Sequence, residues 1–376
     1  MYIKRIELQD FRNYAKLEAS FSEKVNIFIG NNAQGKTNLL EGIYMNAMAR
    51  SFKTSKDKEL IRFGREFCRV RITSFYDDDE HVTEIVINKD GRKGIKLDGV
   101  KVNRTSELLD RIFIIIFSPE DMKIVKDEPE KRRRFIDREL CQVKPGYFSD
   151  LANYKRVLKQ RNTYLKESII EPSILDIWDR ELARYGAGVA VRRRQFIERI
   201  DSISREIHGR ISGGKENLEL RYEASIDMPE ENGENSSAAA DVSQVEKAFY
   251  DMLVKRRNDD IENRGTGRGP HRDDLRISAD GIDLRKFGSQ GQQRTAALSL
   301  KLSEIRLIEE EMGEKPILLL DDVLSELDND RQTYLINSLG GNQLFITTAD
   351  ISGKVAKNLP EGKIFKIKSG EVDIEI

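Results

Sequence analysis

Gly30-Asn31-Asn32-Ala33-Gln34-Gly35-Lys36-Thr37 fits G-x-x-x-x-G-K-[ST] at every fixed position. A loop of this kind turns backbone N–H groups inward around phosphate oxygens. Lys36 supplies a point charge for the β- and γ-phosphates, and the Thr37 hydroxyl a ligand for Mg²⁺. The flanks agree. Val25-Asn26-Ile27-Phe28-Ile29 is a short apolar run, read as a buried strand. Beyond the loop, Leu39, Leu40, Ile43, Tyr44, Ala47 and Met48 recur at helical spacing. Strand, glycine-rich loop and helix set phosphates at a positive helix N-terminus, so an α/β fold is expected.

Working outward, residues 2–9 and 15–21 alternate apolar and polar side chains and read as paired strands. Ser51 to Asp57 is a polar loop whose Lys53 and Lys56 either lean towards a nucleotide or are solvated. Residues 67–103 read as strands joined by turns, with hairpin signals at Asp90-Gly91 and Asp98-Gly99. Residues 112–117 are a buried strand that ends at Ser118-Pro119. Polar-rich helical patterns then run over 130–140, 147–166 and 172–211, the last with an apolar stripe of Leu175, Trp178, Leu182, Tyr185 and Val189. Residues 228–241 are a polar, low-complexity stretch expected to be mobile, and 242–263 are helical again. The C-terminal third alternates helix 290–312, strand 316–320, helix 329–339, strand 344–347 and a hairpin over 363–376, which argues a mostly parallel sheet. The expected division is a nucleotide lobe of residues 1–118 and 264–376 with an inserted, mainly helical lobe of 119–263.

With 376 residues, one large domain or two lobes are expected. A net charge of −1 excludes a uniformly basic nucleic-acid binder, so any such contact must come from local patches. Cys68 and Cys141 fit no metal spacing and make a poor disulfide framework, which points to a reducing, cytoplasmic setting. The N-terminus has no signal-peptide core, and no run of about 18 apolar residues exists, so no membrane role is expected.

Leu318-Leu319-Leu320-Asp321-Asp322 is an apolar strand ending in two carboxylates, a Walker B pattern. Asp321 would hold Mg²⁺, and Asp322 would polarise the attacking water as general base. Ser289-Gln290-Gly291-Gln292-Gln293-Arg294 opens a long helix. Ser289 can cap it, and its hydroxyl with the Gly291 N–H can face an anion. His271 and Arg272 read either as catalytic or as a structural knot of charges within a turn. Three basic runs have two readings each. Arg132 and Arg133, then Arg192, Arg193 and Arg194, then Lys255 and Arg256, are candidate DNA-phosphate contacts. The same runs fit solvated helix faces paired with acids such as Asp137 or Glu198.

Walker A, a Ser-x-Gly-Gln signature, Walker B and Ser325-Glu326-Leu327-Asp328, in that order, resemble an ABC-type ATPase of the SMC-like DNA-repair branch. Four further stretches narrow the resemblance: Ile6 to Tyr14, reading Ile-Glu-Leu-Gln-Asp-Phe-Arg-Asn-Tyr; Phe117-Ser118-Pro119-Glu120-Asp121; Lys131 to Asp137; and Gly269-Pro270-His271-Arg272-Asp273-Asp274. Over essentially its whole length the chain resembles the RecF family of bacterial recombination mediators. That resemblance implies an ABC-type ATPase head, a mixed sheet around a P-loop core, with an inserted helical lobe and no long coiled coil. It implies ATP and Mg²⁺ bound by Gly30 to Thr37 and Asn38, with Arg12 and Asn13 approaching from the N-terminal sheet. It implies that Ser289, Gly291 and Gln292 contact the γ-phosphate held by a second subunit, with Asp328 at the interface of an ATP-dependent homodimer. The implied partners are double-stranded DNA with single-strand gaps or junctions, RecR and, indirectly, the recombinase RecA, in a nucleoid-associated setting. Lys36 and Asp322 would carry a weak ATPase used as a release switch. Asp322 stands where transporter-type relatives carry glutamate, which predicts slow hydrolysis. The switch position, Thr347-Thr348-Ala349-Asp350, has no histidine, and Ser118 to Asp121 would take the coupling role of a Q-loop. The alternative is a soluble ABC-type module that acts on a protein or membrane partner without DNA.

Overall fold

The computed structural model describes residues 1–109, 111–228, 238–349 and 361–375. Strands β1 (Tyr2–Phe11) and β2 (Tyr14–Ser20) form the expected N-terminal hairpin. Strand β3 (Val25–Ile29) feeds through the glycine-rich loop into α1 (Lys36–Met48), and all six apolar positions read from the sequence are buried. Strands β4 (Phe67–Tyr76), β5 (Asp79–Asn88), β6 (Lys93–Leu97) and β7 (Val100–Val102) pair successively antiparallel. The β6–β7 turn needs positive φ at both central residues, which Asp98 (50°) and Gly99 (82°) supply. Helix α2 (Ser106–Leu109) and strand β8 (Ile114–Phe117) follow.

The helical stretch comprises α3 (Pro129–Val143), α4 (Pro145–Tyr164), α5 (Pro172–Ser212), α6 (Ala238–Lys255) and α7 (Arg257–Glu262). The first three begin with proline, where the missing N–H costs nothing. Helix α5 stops at Gly213, whose φ of 65° makes a left-handed cap. Three strands that the sequence reading missed are woven through this region: β9 (Leu218–Glu223), β10 (Asp274–Ala279) and β11 (Ile282–Asp283). Then come α8 (Leu284–Phe287), α9 (Gln290–Met312), β12 (Ile317–Asp321), α10 (Asn329–Ser338), β13 (Leu344–Thr348), β14 (Gly362–Lys368) and β15 (Glu371–Glu375). Most of the low-complexity stretch read at 228–241, and Asp350, lie outside the described residues.

The chain forms two compact units. The first, Met1–Lys123 with Ala297–Ile376, holds two six-stranded sheets. One is antiparallel, in the order β2-β1-β4-β5-β6-β7, so the N-terminal hairpin and the later strands make a single sheet. The other runs β15-β14-β3-β13-β12-β8 and is parallel except for β15. Strand β13 lies between β3 and β12. The glycine-rich loop and Asp321 thus leave the sheet at the same carboxyl edge, where open α/β sheets bind ligands. Phe21 packs edge-on against Phe28 and Phe345 in the core, at 6.1 and 4.8 Å between ring centres. The second unit is Ile124–Ala296. Residues 264–296 therefore go with the helical lobe rather than with the nucleotide lobe as expected. The reason is the antiparallel pairing of β10 with β9, which draws that segment across.

Candidate nucleotide site

Three features of the first unit converge at the carboxyl edge of the parallel sheet. The Thr37 hydroxyl donates to Asp321 Oδ1 at 2.8 Å, and the Thr347 hydroxyl to the same oxygen at 2.9 Å. The Asp322 N–H donates to Thr347 Oγ1 at 2.9 Å, so the threonine at the switch position ties both carboxylate residues together. Asp322 itself sits in the left-handed region, at φ 51°. The Lys36 ammonium donates to the carbonyls of Gly30 and Asn31. Burial lowers the Lys36 pKa, while the charges of Asp322 and Asp321 raise it. Burial raises the Asp321 pKa, opposed by the bonds from Thr37 and Thr347 and by the charge of Lys53. The loop after α1 thus brings one of its lysines, Lys53, within electrostatic reach of Asp321. Lys56 instead lies 3.6 Å from Glu59.

The donor set fits a magnesium nucleotide. A hydroxyl and a carboxylate oxygen are hard ligands, and Mg²⁺ is ordinarily held by one or two carboxylates plus phosphates and water. Among the described residues no three His, Cys, Asp or Glu side chains gather as a self-sufficient metal cage. The first glycine is obligatory: a Cβ on Gly30 would collide with the Ile367 carbonyl of β14.

Of the flanking residues, Asn13 meets the loop directly: its Nδ2 donates to the Gln34 carbonyl at 2.9 Å. Its Oδ1 accepts from Asn38 Nδ2 at 2.8 Å. Arg12 is engaged on α1. Its guanidinium makes two bonds, at 2.8 and 2.7 Å, to the wholly buried carboxylate of Glu41 on α1, and one at 2.9 Å to the Glu59 carbonyl. A buried charge demands its partner, and Glu41 claims the arginine. Tyr14, Thr347 and Ser369 also belong to the site. Tyr14 and Thr347 stood inside quoted stretches without a role of their own, and Ser369 lies remote from any motif.

The signature lies in the second unit. Ser289 Oγ accepts from the Gln292 N–H at 3.2 Å, and Gln292 Oε1 accepts from the Ser289 N–H at 2.9 Å, a reciprocal capping box at the start of α9. Gln292 Nε2 donates to Glu216 Oε1 at 3.0 Å, and the other Glu216 oxygen lies 3.2 Å from His208 Nε2. Gly291 accepts from Thr295 within the helix. In the first unit Asp328 caps α10, accepting from the Arg331 N–H at 3.0 Å. Ser118 binds Asp121 through its N–H and hydroxyl, at 2.9 and 2.6 Å, closing a local turn.

His271 is structural. Its Nδ1 lies 2.7 Å from the Tyr154 hydroxyl and its Nε2 3.0 Å from the Thr266 carbonyl. Burial lowers the pKa of both His208 and His271 from the ordinary 6.5. As pH falls through that value, the unfolded chain takes up protons that the folded chain resists. The stability tied to these neutral imidazoles is therefore present above that pH and lost below it. The thermal midpoint of the second unit is expected to drop between about pH 7.5 and about pH 5.5, and His208→Gln to flatten that slope. A flat profile for the native chain would contradict it.

The basic runs divide. Arg132 is only 2% exposed and grips Asp274 through two bonds at 2.7 and 2.8 Å. Arg193 is equally buried, with Asp137 at 2.8 Å and the Pro270 carbonyl at 2.6 Å. Neither side chain is on the surface, which corrects their reading as DNA contacts: an inward helix position turned each towards an acid. Arg133 donates to the Asp273 carbonyl at 2.6 Å. Arg192 pairs with Asp150, Arg194 lies 3.9 Å from Glu198, and Arg256 lies 3.0 Å from Asp259. Lys131, Arg134 and Lys255 are exposed. Among the described residues, no helix is long and apolar enough to cross a membrane.

The family model described as RecF/RecN/SMC N terminal domain matches residues 2–359. A DNA replication and repair protein RecF from Agathobacter rectalis is 44% identical, with 100% of this chain and 99% of that one covered. The protein of the same name from Clostridioides difficile is 42% identical over 99% and 98%. A solved structure of the recombination mediator protein RecF-ATPrS in the RecFOR pathway shares 38% identity at a TM-score of 0.90, covering 100% of this chain and 98% of that one. The fold is thus an ABC-type ATPase head with an inserted lobe, and the phosphate loop, the Walker B pair and the capped signature stand in a chain that belongs to the RecF family.

Proposed function

We propose that this chain is an ATP-dependent DNA-binding protein of recombinational repair. It dimerises on ATP, holds double-stranded DNA at single-strand gaps or junctions, and helps a mediator such as RecR load the recombinase RecA. The observation that carries the reading is the 2.8 Å approach of the Thr37 hydroxyl to Asp321 beside a phosphate loop. The names of the relatives, a DNA replication and repair protein and a recombination mediator, support its DNA side.

In this reading Gly30 to Thr37 and Asn38 hold ATP, and Thr37 and Asp321 hold Mg²⁺, which supplies positive charge where the transferred phosphoryl develops negative charge. Lys36 faces the β- and γ-phosphates. Asp322 accepts the proton of the attacking water; its short side chain makes hydrolysis slow, suited to release rather than to rapid turnover. Ser289, Gly291 and Gln292 serve the nucleotide of a second subunit, with Asp328 nearby. A nucleotide gripped by two subunits binds the dimer better than the monomer, and that difference drives association.

The test is binding of a labelled gapped duplex with ATP, ADP or no nucleotide. Tight binding is expected with ATP alone. Equal binding in all three states would remove the ATP gate. ATP-driven dimerisation with no DNA binding would favour a module acting on another protein. Lys255→Gln is expected to lower the salt slope of DNA binding by about one.

A further inference from the structure

Two consecutive peptide units of the phosphate loop are held from outside it. The Gln34 carbonyl accepts from Asn13 Nδ2 at 2.9 Å and from the Gly370 N–H at 3.1 Å. The Gly35 carbonyl accepts from the buried Tyr14 hydroxyl at 3.0 Å, besides its helical bond from Leu39. In a trans peptide the C=O and the following N–H point to opposite sides. Anchoring these two carbonyls outward therefore turns the Gly35 and Lys36 N–H groups the other way. Successive N–H groups aimed together make an anion cradle.

The Gln34 side chain is gripped as well, its Oε1 accepting from the Ser369 N–H at 2.6 Å. Ser369 and Gly370 are the central residues of the β14–β15 turn, at φ 51° and 82°. Strand β14 runs parallel to β3 with Lys366 opposite Ile29, so sheet register delivers the turn beside the loop.

We infer that the Ser369-Gly370 turn, with Asn13 and Tyr14, positions the phosphate loop by fixing the direction of its Gly35 and Lys36 amides. The inference rests on the nucleotide reading above. These residues act through the loop backbone and are positioning rather than catalytic residues.

The test is titration of the full chain with a fluorescent ATP analogue and Mg²⁺, alongside steady-state kinetics and thermal unfolding. Gly370→Ala puts a Cβ 2.8 Å from the Asn13 carbonyl at a φ that disfavours any side chain. Tyr14→Phe deletes only the hydroxyl and covers the case in which Gly370→Ala does not fold. Gly91→Ala, at φ 87° with nothing within 4 Å, is the control for turn strain alone. Gly370→Ala is expected to raise Kd about tenfold and Tyr14→Phe about threefold to tenfold, with KM rising more than kcat falls. Gly91→Ala should leave Kd unchanged. A merely structural turn would lower the thermal midpoint of Gly370→Ala and spare Kd and KM; that result, or unchanged Kd in Tyr14→Phe, overturns the inference. No binding by the native chain overturns the nucleotide reading itself, and the inference with it.

Discussion

Lys36→Met is expected to keep its fold and lose about 10²–10³-fold in ATP turnover. The two halves of that result have separate causes. Lys36 is 7% exposed, and its ammonium rests on the carbonyls of Gly30 and Asn31. Burial works against its charge, and only Asp322 and Asp321 work for it. Methionine has similar reach and no charge to desolvate. The folded state loses two hydrogen bonds worth about 1 kcal/mol each and sheds a desolvation penalty, little against a total stability of about 5–15 kcal/mol. Turnover has no such compensation. In the proposed reading the substitution removes the cation fixed beside the developing phosphoryl charge. Phosphate release by the native and variant chains, with a thermal unfolding curve for each, checks both halves. Turnover within tenfold of the native chain would remove Lys36 from the catalytic role.

The parts of this site that were legible are contiguous in sequence. The loop from Gly30 to Thr37 and the pair Asp321-Asp322 announce themselves by pattern, and the helices by apolar spacing over several turns. What brings the two patterns together is not contiguous: Leu320 pairs with Ile346, and Thr347 with Phe28, across β13. The same limit hid the joining of the N-terminal hairpin to β4, whose pairing of Leu8 with Val70 spans the whole phosphate loop and its helix. Strands β9 and β10 did carry a signal, Leu218 and Leu220 facing Ile277 and Ala279 in alternation, but it is short and surrounded by charged residues. Tyr14 and Ser369 had none, since Tyr14 bonds a backbone carbonyl and Ser369 offers its backbone N–H to the Gln34 side chain, contacts that no residue pattern marks. Arg132 and Arg193 show the converse. Each looks like its solvated neighbours in sequence, and helical rotation alone sends Lys131 and Arg134 to water and Arg132 to Asp274.

Asp179→Ala is expected to destabilise the second unit by about 3–5 kcal/mol, a larger loss than any surface charge there would cause. Arg161 is fully buried, and three acceptors divide its guanidinium. Nε donates to Asp179 at 2.7 Å, and Nη1 donates to Asp260 at 2.8 Å and to Thr266 at 2.7 Å. Asp179 is equally buried, and its other oxygen accepts from Arg257 Nε at 2.7 Å. Removing Asp179 leaves two guanidiniums to share fewer carboxylates, one of them with no access to water. The exposed pair Lys89–Glu66 has a similar distance, 2.8 Å, but both side chains are more than half in solvent, so Lys89→Ala should cost less than about 1 kcal/mol. At roughly 2–4 °C per kcal/mol for a unit of this size, Asp179→Ala should lower the unfolding midpoint by about 6–20 °C. The sign of a second experiment separates charge from packing. Arg161→Met combined with Asp179→Leu and Asp260→Asn deletes the buried charges, keeps an acceptor for the Gly267 N–H and refills much of the volume, so it should recover most of the loss. If the triple variant is no better than Asp179→Ala, the cost lies in packing between α4 and α5 and not in the stranded guanidinium. If Asp179→Ala itself moves the midpoint by less than about 3 °C, Arg161 finds water or another acceptor on losing its partner, and the clamp carries little of the lobe's stability.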